Sequence, residues 1–347
     1  MIQSCETVCY ADCLYRPQSF GVGHPAPLKQ SVRNGVLCKG GAFMGTAESQ
    51  SGPVVIFNPT ANRGKMELYR VLLRARIEQE HAEYVETSRS GEARERAMLA
   101  AGQGRAVIVV GGDGTLNEVV NGLLITGRRV PLGIVAAGSG NDYAWNTLKL
   151  PKEPDAAIER AFHGQLISAD AGIVNGQYFA NSFSVGIDAD IAVAASRMKK
   201  IPLMSGGRLY YTTTIKQLLF GYHRCPRLTF SLTDEAYKSE PDKRYVLLAV
   251  TNGPTYGAGF RINPQADHVD GYFDVCAIDY TPLLRALTLL PVVKKGEHGA
   301  EPEVKFYRAK TVCIESKRPV NMQIDGETTS ATSFEAEVLP GALWVRV

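Results

Sequence analysis

From Val54 to Ala136 the chain alternates between two hydrophobic rhythms. Short apolar runs at Val54–Phe57, Tyr84–Val85, Val107–Val110 and Leu132–Ala136 predict strands. Between them, apolar positions three and four apart predict helices. One spans Met66–Glu80 through Tyr69, Leu72, Leu73 and Ile77. An Ala- and Arg-rich one spans Gly91–Gly102, and a third spans Leu116–Thr126 through Leu116, Val119, Val120, Leu123 and Leu124. Strands separated by helices of this length pair in parallel through right-handed crossovers, so residues 52–150 read as an α/β domain on a parallel sheet.

After Pro151 the texture changes. One more helix is expected over Asp155–Phe162, and then β-rich runs dominate. Ile173–Phe179 carries an Asn-Gly hairpin turn, and further runs lie at 226–232, 244–251, 271–279, 303–315, 319–325 and 333–347. Helices are expected near 188–199, 207–221 and 282–290. Residues 151–347 thus read as a mostly antiparallel, β-sandwich-like domain with inserted helices, and the cleft between the two halves is the natural place for a site. Residues 1–51 show no sustained period and carry Gly-, Pro- and Ser-rich pieces. They are expected to form a poorly ordered extension.

Composition narrows the picture only where it excludes something. A net charge of +3 without a long basic run argues against nucleic acid as a partner. No stretch reaches the roughly 18 consecutive apolar residues of a membrane-spanning helix. The first residues lack the positive-then-apolar order of a secretory signal, and Cys225, Cys276 and Cys313 read as small buried residues in a reducing compartment, so the cytoplasm is expected.

The chemistry concentrates in three turns at strand ends. These are Asn58-Pro-Thr-Ala-Asn-Arg-Gly-Lys65, Gly111-Gly-Asp-Gly-Thr115 and Gly138-Ser-Gly-Asn-Asp142. In open parallel sheets, ligands collect at the carboxyl ends of strands. A glycine turn leading into a helix lets backbone N–H groups and the helix dipole approach a phosphate. Taken alone, Gly111–Thr115 fits equally well an ordinary strand-to-helix turn with Asp113 or Thr115 as the cap. Three convergent turns favour the phosphate site.

In this order, and with the continuation Leu116-Asn-Glu-Val-Val-Asn-Gly122, the three turns resemble the catalytic-domain family of diacylglycerol kinases, which includes bacterial soluble lipid kinases and sphingosine kinases. The resemblance runs from about residue 53 to the C-terminus. It implies transfer of the ATP γ-phosphoryl group to a lipid hydroxyl, with Mg²⁺ as the second cofactor. Gly111, Gly112, Asp113, Gly114, Thr115, Leu116 and Asn117 would then surround the ATP phosphates, with Asp113 acting through Mg²⁺. Asn58 would open the first turn, and Ser139 and Asp142 would serve from the third. Thr87 matches a nucleotide contact, although a hydroxyl capping the next helix is nearly as good a reading.

In the C-terminal half, Asp267 and Asp270, with the carbonyl of Tyr272, resemble a structural Mg²⁺ loop. A plain Asp-Gly hairpin is the competing reading, and His268 is expected to face solvent. Gln323-Ile-Asp-Gly-Glu327 resembles the segment whose aspartate is the general base, here Asp325, with Glu327 placed near a cation or the nucleotide. The implied partner is a lipid alcohol at a membrane surface, touched through Met198–Met204 or Pro282–Lys295, and a homodimer is an admissible assembly. Diacylglycerol converted to phosphatidate leads. Another lipid alcohol such as a sphingoid base, NAD as acceptor, and a non-catalytic nucleotide-binding regulator stand as alternatives.

Overall fold

The computed structural model describes residues 52–198, 206–234, 236–257 and 259–347. The expected extension over 1–51 and nearly all of Met198–Met204 lie outside the described residues. Strands β1 (Val54–Phe57), β2 (Glu83–Glu86), β3 (Val107–Gly111) and β4 (Pro131–Ala136) pair in parallel in the order β2-β1-β3-β4. Helices α1 (Glu67–Gln79), α2 (Glu92–Gly102) and α3 (Asp113–Ile125) make the crossovers, and α4 (Pro154–His163) follows β4. Pro154 enters α4 at its first turn, where a missing N–H costs nothing, and the Glu153 side chain accepts from the N–H of Ala156.

The second half begins with β5 (Leu166–Val174), β6 (Gln177–Phe179) and β7 (Ser182–Gly186), then α5 (Ile187–Met198) and α6 (Gly206–Gly221). Next come β8 (Arg227–Leu232), β9 (Tyr237–Lys238), β10 (Lys243–Thr251), β11 (Phe273–Asp279) and α7 (Leu283–Lys295). The chain closes with β12 (Val304–Ala309), β13 (Thr311–Ile324) and β14 (Glu327–Arg346). Asn175 and Gly176 both take left-handed φ values, 49° and 81°, as the predicted two-residue turn from β5 to β6 requires. The order β12-β11-β10-β7-β13-β14 is antiparallel throughout, so the architecture is the expected one.

One connection was not visible in the linear pattern. The end of β14 leaves the antiparallel region and pairs in parallel with β4, Trp344 against Pro131 and Val345 against Leu132, so a single sheet runs through both halves. The strand bends where its register with β5 shifts between Leu339 and Leu343, around Pro340 and the left-handed Gly341. The two runs expected at 303–315 and 319–325 also resolve differently. Residues 304–309 form β12, while the rest is the single long β13. Its register slips between Glu315 and Val320, where Pro319 has no N–H to offer the ladder.

The parallel sheet is packed on both faces, by Val54, Ile56 and Val109 with α2 and α3, and by Val55, Phe57 and Val110 with α1 and α4. The sandwich interior is aromatic. Phe179 lies 5.4 Å from Phe183 and 5.5 Å from Phe273, centroid to centroid, and its ring occupies the space that a Cβ on Gly172 would need. Phe179→Ala is expected to cost about 3–5 kcal/mol of stability, read as a lowered denaturant midpoint at unchanged slope. A midpoint equal to that of the wild type would show that this cluster does not hold the sandwich together.

Candidate active site

The glycine turn is shorter than its sequence implied. Helix α3 begins at Asp113, three residues before the apolar period starts, and Gly112 before it is extended, at φ −98° and ψ −174°. Leu116 N–H already bonds the Gly112 carbonyl at 3.0 Å. Asp113, Gly114 and Thr115 therefore form the first helical turn, and their N–H groups have no acceptor inside the helix. Gly112, at the cap position, has no side chain to supply one. Neither Asp113 nor Thr115 is the cap.

The neighbouring turns close around this helix start. Asn58, at the end of β1, donates from Nδ2 to Thr115 Oγ1 at 2.8 Å and orders its own turn by accepting from Thr60 N–H and Oγ1. That bond spans β1 and β3, where the strand order reverses and ligands characteristically bind. A Cβ on Gly111 would stand 2.7 Å from Thr115 Oγ1. In the third turn, a Cβ on Gly138 would come within 2.6 Å of Gly112 Cα, and one on Gly140 within 2.6 Å of Asp113 Oδ2. The same Asp113 oxygen accepts from the Asn141 N–H at 2.8 Å. The glycines are there because two backbones and a carboxylate pass at contact distance.

Asp142 takes a bond from Asn146 Nδ2 at 2.7 Å, across the single π turn Tyr143–Thr147, while Ser139 is exposed. Asn117 faces Asn121, whose amide exchanges bonds of 2.9 and 3.0 Å with the backbone of Tyr178 and so ties α3 to β6. Thr87 is buried beside the end of β1 and donates to the Phe57 carbonyl. Helix α2 is instead preceded by Ser88, whose N–H and hydroxyl bond Glu92.

Asp325 is brought to this turn by β13. Its carboxylate accepts three successive backbone N–H groups, Ala180 at 2.7 Å, Asn181 at 3.1 Å and Ser182 at 2.9 Å, and its own N–H returns a bond to the Ser182 carbonyl. It sits at φ 44° in the tight turn before Gly326. Protein atoms crowd it on nearly every side, leaving a partly exposed edge. That burial pushes its pKa up to about 6 against the three N–H groups that pull it down, and the negative charge of Asp113 adds to the rise. The two carboxylates therefore feel each other across the cleft. Glu327 arrives with the same turn, its Oε1 3.9 Å from where a Cβ on Gly114 would lie.

Several residues of this arrangement carried no sequence signal. Asn181 and Asn252 fix the strand that cages Asp325. Asn252 bonds the Asn181 and Ala180 carbonyls, and Asn181 bonds the Thr255 carbonyl and receives Thr147 Oγ1. The one hint was a polar Asn-Gly pair closing the apolar run 245–251. The Tyr143 hydroxyl is buried without a hydrogen-bond partner among the described residues, and burial together with the charges of Asp325 and Asp170 pushes its pKa up. Asp170 on β5 is buried and accepts from the N–H groups of Gly271 and Gly341, both at 2.7 Å.

That bond from Gly271 anchors the predicted metal loop. Within it Asp267 Oδ1 accepts from Val269 N–H, and Asp270 accepts from Tyr272 N–H and pairs with Arg308. His268 is half-buried rather than solvent-facing, and burial lowers its pKa. Its carbonyl takes the Asp170 N–H. Among the described residues no three Asp, Glu, His or Cys side chains converge as a preformed cage. Asp267 Oδ1 and both oxygens of Asp270 are thus engaged within the loop and with Arg308. The glycine turn differs, because Mg²⁺ held between one or two carboxylates and a substrate phosphate needs no cage. Asp113 and Glu327 are of the right chemistry for that.

A parallel sheet with a glycine-lined helix start, faced by a caged carboxylate from an antiparallel domain, defines the class, and comparison with known proteins agrees. Residues 53–174 match the diacylglycerol kinase catalytic domain, and residues 181–347 match the YegS C-terminal NAD kinase beta sandwich-like domain. The diacylglycerol kinase of Staphylococcus saprophyticus is 30% identical over 280 residues, covering 79% of this chain and 88% of that protein. That of Mycobacterium tuberculosis is 31% identical over 259 residues, covering 72% and 80%. A diacylglycerol kinase crystal structure from Bacillus anthracis strain Sterne shares the fold, with a TM-score of 0.65 at 19% identity over 86% of this chain and 97% of that one. The chain belongs to the diacylglycerol kinase family. Among the described residues no helix is long and apolar enough to cross a membrane.

Proposed function

We propose that this protein is an ATP- and Mg²⁺-dependent lipid kinase that phosphorylates diacylglycerol to phosphatidate at the cytoplasmic surface of a membrane. One observation carries the reading. A carboxylate held by three N–H groups, Asp325, stands across the cleft from an uncapped helix start. A polyphosphate at the start of α3 would meet the N–H groups of Asp113, Gly114 and Thr115, ordered by Asn58 and by the third turn around Ser139. Its charge would lie beside Asp113, Asp325 and Glu327, which requires a divalent cation to neutralise it. When bound, Mg²⁺ supplies that neutralisation. Asp113 and Glu327 would hold it, and Asp142 braces the third turn through Asn146. Leu116 and Asn117 line the helix side, and Thr87 keeps the end of β1 in place.

Asp325 then faces the acceptor hydroxyl. Its remaining lone pair accepts the acceptor O–H, which turns the hydroxyl oxygen toward the γ-phosphorus, and takes the proton as the new P–O bond forms and the bond to the ADP oxygen breaks. Asp267, Asp270 and the Tyr272 carbonyl become a second Mg²⁺ site only if Arg308 releases Asp270.

The test uses purified protein, labelled ATP and Mg²⁺ with diacylglycerol micelles, sphingosine or NAD in parallel tubes. Labelled phosphatidate is the expected product. Phosphorylated NAD or sphingosine without phosphatidate would overturn the assignment.

A further inference from the structure

Where α5 begins, two polar atoms sealed from solvent lack a hydrogen-bond partner among the described residues. They are Nε2 of Gln323 on β13 and Oδ1 of Asp188 on α5. Both residues are buried, at 5% and 9% exposure. An amide nitrogen only donates and a carboxyl oxygen accepts, so each lacks what the other offers.

The strands bring the two together. Phe183 and Val185 of β7, and Met322 and Ile324 of β13, pack inside the sandwich. Ser184 and Gln323 lie between them in sequence, so both point to the opposite face, toward α5. They are also direct partners across the strands, which sets their Cβ atoms about 4.5–5.5 Å apart. The Ser184 hydroxyl donates to Asp188 Oδ2, and Tyr256 donates to the same oxygen at 2.9 Å, which leaves Oδ1 over. Two residues earlier on that face of β13, Asn321 donates to Asp190 Oδ1 at 2.6 Å and fixes α5 over the strand.

The orientation of the Gln323 amide is set by the turn that carries Asp325. Its Oε1 accepts the Gly326 N–H at 3.0 Å, and the flipped amide would set one donor against another. Nε2 is thereby committed to donate toward α5. Asp325 and Gly326 occupy left-handed φ values of 44° and 92°, and the Gly326 N–H belongs to the peptide that leaves Asp325.

We propose that one buried water bridges Gln323 Nε2 and Asp188 Oδ1, and that Gln323, held at both ends of its amide, is a positioning residue for Asp325. This rests on the kinase reading and deepens it. A water accepts from Nε2 and serves Asp188 in either state, donating to a carboxylate oxygen or accepting from an acid proton. The N–H groups of Ala180, Asn181 and Ser182 hold the Asp325 carboxylate, while Gln323 holds the main chain from which it hangs. The bridge ties that main chain to α5.

Two measurements test this. In a high-resolution crystal structure of the wild type, one ordered water is expected within hydrogen-bond distance of both atoms, and its absence would overturn the bridge. Gln323→Met, of similar volume without the amide, is expected to lower kcat for phosphatidate formation about tenfold at nearly unchanged KM for ATP. Gln323→Glu, which keeps the acceptor for the Gly326 N–H, should stay within about threefold of wild-type kcat. Asp188→Leu should lower kcat about threefold by itself and add nothing to Gln323→Met, because it acts through that residue. Wild-type kcat in Gln323→Met would overturn the positioning role, and multiplying effects in the double variant would overturn the link to α5. A wild-type protein that holds the water but forms no phosphatidate would overturn the kinase reading, and the positioning role with it, while the bridge stands.

Discussion

Replacing Asp325 by alanine is expected to slow phosphoryl transfer by roughly 10²–10⁴-fold while leaving ATP affinity nearly unchanged. The asymmetry follows from placement. The carboxylate hangs from the turn after β13 and is held by the N–H groups of Ala180, Asn181 and Ser182, all in the antiparallel half. The turns proposed to bind phosphate belong to β1, β3 and β4. Single-turnover rates and an ATP titration on the same variant check both halves of the statement. A large loss of ATP binding with intact chemistry would remove Asp325 from the acceptor side.

The same residue sets a pH dependence. In its proposed role as base it must be deprotonated to act, and burial pushes its pKa up to about 6, above the ordinary carboxylate range. With the wild type, kcat/KM is therefore expected to stay level above about pH 6 and to fall about tenfold per unit below it. An ordinary exposed aspartate would shift that limb down to around pH 4. A flat profile down to pH 5 would contradict the role of base.

Gly138→Ala is the second substitution with a large expected effect. Its Cβ would stand 2.6 Å from Gly112 Cα, a backbone atom that no rotamer change can move. The third turn and the glycine turn would have to separate, and the Asn141–Asp113 bond would open with them. Overpacking of this kind costs about 1–3 kcal/mol, so ATP affinity is expected to drop roughly ten- to hundredfold. Gly102→Ala is the matched control, since a Cβ there meets nothing within 4 Å. Calorimetric titration with ATP and Mg²⁺ decides the matter, and wild-type affinity in Gly138→Ala would show that the two turns do not form one phosphate cradle.

Much of this was legible in one dimension because the information is local. Strands β1, β3 and β4 are continuous apolar runs, as strands covered on both faces must be. The glycines at 111, 112, 138 and 140 stand out because only they admit such close backbone approach. Other features were hidden for equally physical reasons. The start of α3 was misplaced because Asp113 and Gly114 do not face the core, so the apolar period is silent over the first turn. Strand β7 was missed because five residues alternating serine with Phe183 and Val185 make too short a pattern.

By itself, then, the sequence determined which segments become strands and helices, and where glycine turns must fall, since propensity, periodicity and turn chemistry act between near neighbours. Only the tertiary structure decided what those turns face. The continuation of β14 onto β4 joins the halves. The pairing of β13 with β7 sets Asp325 under three N–H groups, which raise no signal in their own segment. The side chains of Asp170 and Asn252 acquire meaning from partners 101 and 72 residues away. Such contacts are set by packing across the whole sheet, and no short window of the chain contains them.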